Sequence, residues 1–178
     1  MPKPSPAYTT VLDFWFGPPR SATYLQQKPF WYGDKASDAT VREKLGPLYE
    51  TATFTTTLDA WQDEGTDGEG ALALILLLDQ VPRNIFRGTP RAYATDAKAR
   101  EVARRAVLER GLGTGLPGVM RRYLYSPFNH SENLGDQEVS VRLFRELGDE
   151  THLFWATRFY EDIKRDGRFV HRDSVLGR

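Results

Sequence analysis

Three stretches of this chain gather the side chains that could do chemistry. The first is Asp79-Gln80-Val81-Pro82-Arg83-Asn84-Ile85-Phe86-Arg87, which carries a carboxylate, two amides and two guanidinium groups. The second runs from Asn129-His130-Ser131-Glu132 to Asp136-Gln137, and the third is the tail segment Gly167-Arg168-Phe169-Val170-His171-Arg172. A histidine held by a carboxylate is the usual apparatus of general acid–base chemistry. His130 with Asp79 or Glu132 is therefore the candidate catalytic set, and a hydrolase the activity it would suit. Guanidinium forks match carboxylate and phosphate geometry. Arg83, Arg87, Arg168 and Arg172, helped by His130 and His171, could thus hold a small anionic ligand. Asp79, Gln80, Asn84, Asp136 and Gln137 complete the candidate ligand-binding set.

Spacing places several of these side chains against apolar neighbours. Asp136 lies three and seven residues before Val139 and Leu143, and Gln137 four and seven before Val141 and Phe144. Asp79 shares a helix face with Ile75 and Leu76. It also falls in the last turn of its helix, where a carboxylate meets the wrong end of the macrodipole. It needs a cationic or hydrogen-bonding partner. Two helices each bearing an Asp-Gln pair near a terminus would frame one polar pocket. The structural alternative is a buried hydrogen-bond network tying helix ends together, with Arg168 or Arg172 folded back onto Asp79 or Asp136. Such networks are the commoner cause of these clusters. His130, Glu132, Asp136 and Asp79 as a metal set would suit magnesium, manganese or iron more than structural zinc. Their spacing matches no recognised site, so neither a metal nor a cofactor is expected.

The elements that must position these groups read as helices. Ala71–Leu78 is the longest unbroken apolar run, too short for a bilayer, and predicts a buried central helix stopped by Pro82. Around it the periodicity predicts helices over Tyr8–Phe16, from about Asp38 to Ala52, from a Thr95 cap to Gly111, and over Leu116–Tyr125. Ser126–Asn129 reads as a turn. Two more helices follow, from an Asn133 or Ser131 cap to Leu147 and from about Glu150 to Asp166. Tryptophans 15, 31, 61 and 155 read as core residues. Gly113-Thr-Gly-Leu-Pro-Gly118 fits GxGxxG literally, but it follows a helix and carries Pro117, so no dinucleotide site is expected. No confident strand appears. The expectation is an all-α single domain over 1–178, with a disordered leader at 1–7 and a basic tail, 168–178, packed back on the core.

Composition narrows the partners. Twenty-four basic residues balance twenty-four acidic ones without a long block of either sign, which argues against nucleic acid or a membrane. Zero cysteine removes disulfides, thiolate metal sites and cysteine nucleophiles. A cytoplasmic protein is expected, since Met1–Thr10 shows no secretory signal. The partner is expected to be a small anionic ligand or a protein segment, and a homo-oligomer stays open.

Several segments together resemble a known family. They are Val11-Leu-Asp-Phe-Trp-Phe-Gly17, the Ala73–Gly88 stretch with its Asp79-Gln-Val-Pro-Arg-Asn-Ile-Phe-Arg-Gly88 string, Ala92-Tyr-Ala-Thr-Asp96, Tyr123-Leu-Tyr-Ser-Pro-Phe-Asn-His-Ser-Glu132, Asp136-Gln137 and Gly167-Arg-Phe-Val-His-Arg172. In this order they resemble a bacterial family known as domain of unknown function number 924. The resemblance implies antiparallel helix pairs stacked in a tetratricopeptide-like right-handed superhelix around the buried central helix. It implies no activity. It also implies a histidine in the last helix where this chain has Phe159, and relatives that continue past Arg178.

Overall fold

The computed structural model describes residues 7–178. The leader expected at 1–7 lies outside the described residues as far as residue 6, and Ala7 already opens α1 (Ala7–Phe16). That helix buries Val11, Trp15 and Phe16 completely. α2 (Asp38–Phe54) follows two short 3₁₀ turns, and a third, Asp59–Asp63, leads into α3 (Glu69–Ile75). Every side chain from Ala71 to Leu78 is 0% exposed, because α1, α2, α5 and α6 surround this helix. At about 1.5–3 kcal/mol per large aliphatic side chain, this run dominates the core.

Pro82 does not stop that helix. Leu76–Gln80 widens into a π turn, and α4 (Val81–Ile85) continues with Pro82 in its first turn. A proline there has no N–H for the carbonyl four residues back, which is Leu78 O. Thr95 Oγ1 donates to that carbonyl at 2.5 Å instead. Thr95 is consequently no side-chain cap for α5 (Asp96–Ala103). The same arrangement recurs in α6 (Gly118–Asn129), which runs through the expected turn at Ser126–Asn129 with Pro127 inside it. Tyr123 O, four residues before Pro127, accepts from Ser126 Oγ at 2.8 Å. In both places a hydroxyl replaces the missing amide.

A second π turn, Arg104–Glu109, closes α5. The Gly-rich connector after it donates the Gly113 and Gly115 amides to the Asp67 carboxylate at 2.7 and 2.5 Å, so its anion-binding geometry is satisfied internally. α7 (Leu134–Leu147), capped by Asn133, packs on α6, and α8 (Glu150–Asp166) packs on α7. α8 lies at the margin and buries only Ala156 and Ile163, which leaves Trp155 52% exposed and outside the core expected for it. A 3₁₀ turn, Val170–Arg172, and α9 (Asp173–Leu176) end the chain. The protein is an all-α single domain with no strand among the described residues. No helix among them is long and apolar enough to cross a membrane.

Candidate functional site

The π turn delivers Asp79, 0% exposed, beside the C-terminal end of α6. Four groups meet its side chain. His130 Nδ1 lies 2.7 Å from Oδ1 and Arg83 Nη1 3.2 Å from the same oxygen. Ser126 Oγ lies 2.7 Å from Oδ2, its one proton shared between this oxygen and Tyr123 O, and Gln80 Nε2 donates to Oδ2 as well. Burial pushes this carboxyl's pKa up, but His130 and Arg83, with the hydrogen bonds from His130 and Ser126, outweigh it and hold the group well below the usual carboxylate range. An ionised carboxylate only accepts, so Nδ1 donates to it and Nε2 is the ring nitrogen left for another partner. Ser126 bonds the carboxylate and not the imidazole, which does not make it a histidine-activated nucleophile.

Arg83 links this pair to a second carboxylate. Its guanidinium makes a fork with Asp96 at 2.8 and 2.9 Å, and Nη1 also donates to Asp79 O at 2.6 Å. Asp96 receives Arg172 too, at 3.6 Å, while Arg172 Nη2 donates to His130 O at 3.1 Å. Arg172 is only 6% exposed, its guanidinium lies between the rings of Tyr93 and Phe169, and its Nε has no hydrogen-bond partner. Burial first, and then Arg83, push its pKa down.

Of these groups, Arg83, His130, Arg172, Tyr93 and Phe169 face a cleft of about 290 Å³. Arg83, Arg87, Arg172, Asn129, His130 and His171 supply its polar lining, and Tyr93, Phe159 and Phe169 its rings; no carboxylate lines it. Burial and Arg172 push the His171 imidazole's pKa down. Arg87 is held by a fork to Asp38, at 3.0 and 2.9 Å, and Asn84 binds Phe30 O and Asp38 from behind. On the other side, His130 and Asn129 also line a second cleft of about 170 Å³, together with Gln80, Trp31, Tyr123 and Phe144.

Other expected members lie elsewhere. Asp136 pairs with Arg104 and with Arg100 (3.2 Å) and accepts from Ser131, so the two Asp-Gln pairs belong to separate networks and do not frame one pocket. Gln137 donates to the carbonyls of Phe128, Asn129 and Ser131, closing the end of α6. Glu132 binds the Phe169 amide and Arg178, and Asp79 is the carboxylate on His130. Arg168 pairs with Asp173. Neither Arg168 nor Arg172 folds onto Asp79 or Asp136. Among the described residues no three His, Asp or Glu side chains converge as a cation would need, so the oxygen-rich metal set is not assembled. Sequence reasoning missed Asp96, Tyr93 and Ser126. For Ser126 the available signal was a hydroxyl immediately before a helix proline, and for Asp96 a carboxylate in the first turn after Thr95; Tyr93 had none.

Fold and site together define a helical protein with a buried carboxylate–histidine pair beside an arginine-lined cleft. The family described as "Bacterial protein of unknown function (DUF924)" matches residues 11–178, and the chain belongs to that family. It is also similar to a solved structure of a protein of unknown function from Agrobacterium tumefaciens, at 34% identity and a TM-score of 0.81, covering 96% of this chain and 90% of that one. No curated protein matches.

Proposed function

We propose that the cleft between α4, the end of α6 and the tail binds a small oxyanion-bearing ligand. The observation that carries this reading is Arg172: a buried guanidinium with an unpartnered Nε, beside a second arginine and short of negative charge. Burying an ion without full compensation is costly, and an anion in the cleft supplies the compensation. His171 and Arg87 stand at the rim to complete it, while Arg168, Asp136 and Gln137 drop out of the binding set. Stacked antiparallel helix pairs of tetratricopeptide type would put this cleft on a concave face. Zero cysteine and balanced charge support residence in the cytoplasm, with a protein segment as the alternative occupant.

Titration calorimetry with inorganic phosphate tests the reading. Saturable binding is expected, weakened about tenfold or more by Arg172→Gln through loss of a charge-assisted contact, and more modestly by Arg87→Gln, whose side chain is 33% exposed and whose loss should spare the fold. No saturable binding to the folded wild type would sink it.

A second reading adds hydrolysis, and the Asp79–His130 distance of 2.7 Å favours it. Nε2 would take a proton from water as it attacks the bound substrate, Asp79 would steady the imidazolium, and the leaving group would take that proton back. Turnover of chromogenic esters or phosphoesters that disappears in His130→Gln, with phosphate binding retained, supports it. Turnover unaffected by that change excludes it.

A further inference from the structure

His130 and Asn129 form a wall between two clefts of opposite character, and that shared wall carries an inference about the ligand. The first cleft is cationic, with three arginines and no lining carboxylate. The second presents the rings of Trp31, Tyr32, Tyr123 and Phe144, and its one arginine, Arg122, is already held by Asp149 at 2.6 Å. Two of these rings are fixed: Trp31 packs edge-on against Tyr123 at 5.6 Å and against Phe16 at 6.0 Å, and its indole nitrogen donates to Trp15 O at 3.1 Å. Tyr32, next in sequence, is 62% exposed at the rim. The first cleft is close to the roughly 300 Å³ at which ligand sites begin, and the second, smaller one shares the His130 and Asn129 wall with it.

We propose that the second cleft is a subsite for a flat aromatic body, and that the ligand is an aryl oxyanion. Its charged group lies against Arg172 in the first cleft, its ring lies against Trp31 and Tyr32 in the second, and the joining atoms pass the edge of His130. This rests on the anion-binding reading and deepens it. Rigid rings offer apolar area at little entropic cost, while the arginines fix which end of the ligand enters which cleft. The same placement puts the link between ring and anion beside His130, the residue to which the second reading gives hydrolysis.

Calorimetry with phenyl phosphate beside inorganic phosphate tests the proposal. Phenyl phosphate should bind about tenfold or more tighter than inorganic phosphate, from burial of the ring. Tyr32→Ala, a change at an exposed position, should remove a large part of that advantage while leaving inorganic phosphate unchanged. The Trp31 indole proton resonance should move with phenyl phosphate and stay in place with inorganic phosphate. Equal affinity for the two, or an advantage untouched by Tyr32→Ala with a stationary Trp31 signal, overturns the aryl subsite and leaves the anion site standing. Binding of neither ligand overturns both.

Discussion

Asp79 is the residue on which the polar side of this protein converges. Removing one member of a buried charge network leaves its partners uncompensated. Asp79→Asn keeps the shape but strands His130 and half of Arg83, and should lower the unfolding free energy by about 3 kcal/mol in chemical denaturation. The acid limb of stability follows from the same group. Its folded pKa lies below the ordinary 3.8, so it favours the folded state above that value, and the contribution is lost as pH falls through and below 3.8. Acid unfolding of the wild type should steepen below about pH 4, and that steepening should be reduced in Asp79→Asn. His171 carries the opposite charge type. Burial and Arg172 hold its pKa below the ordinary 6.5, so just under that value the unfolded chain binds more protons and stability rises with pH. An anion beside His171 favours the imidazolium. Sulfate, which does not titrate near neutrality, should therefore move the His171 midpoint upward in an NMR titration. A midpoint unchanged at saturating sulfate would place the anion elsewhere. The three histidines of the chain give three separable signals for that experiment.

Among the elements, two of the three helix prolines, Pro82 and Pro127, decide where the sequence could be read and where it could not. Helix positions were legible because the apolar spacing around Val11, Leu45, Ala99 and Leu143 is strong and local. The central helix was legible from Ala71–Leu78 alone. What pattern reading missed was continuation past Pro82 and Pro127, since a proline lacks an amide and usually ends a helix. Continuation depends on Thr95 and Ser126, and in the first case the hydroxyl arrives from another element. That information is tertiary, and no window along the chain contains it. Thr95→Val should accordingly leave Leu78 O without a donor in the core and cost about 1–3 kcal/mol, read as a lowered thermal midpoint. Ser126→Ala would combine a stranded Tyr123 carbonyl with loss of a hydrogen bond to Asp79, so its cost should not add to that of Asp79→Asn. A double-mutant cycle reads that coupling. The pairing of Asp136 with Arg100 and Arg104 was hidden for the same reason: helix faces were legible, but which helix faced them was not.

For the molecule as a whole, the core helix is seated by close backbone approach as well as by apolar burial. A Cβ on Gly70 would lie 2.0 Å from Trp61 O and 2.8 Å from Glu64 O, both backbone atoms that cannot swing aside. Gly70→Ala should push α3 off the Asp59–Asp63 turn and destabilise the protein by about 3 kcal/mol or more, measured by urea unfolding. A loss below 0.5 kcal/mol would mean that the turn yields more easily than its packing implies. The composition conveyed that the chain is globular, and the apolar periodicity conveyed its helical class. Neither conveyed that the core and the candidate site share one helix set at two rotational phases. The widened turn at Leu76–Gln80 takes up an extra residue relative to the α-helix on either side. Inserting one further residue after Leu77 would overrun that one-residue offset and rotate α4 by about 100° against α3. The apolar half would stay seated and the circular dichroism would stay helical, while the same carboxylate and guanidinium groups, unchanged in sequence, would address different neighbours and phosphate binding would vanish. One supernumerary residue thus acts as the setting screw between a scaffold and the chemistry it carries.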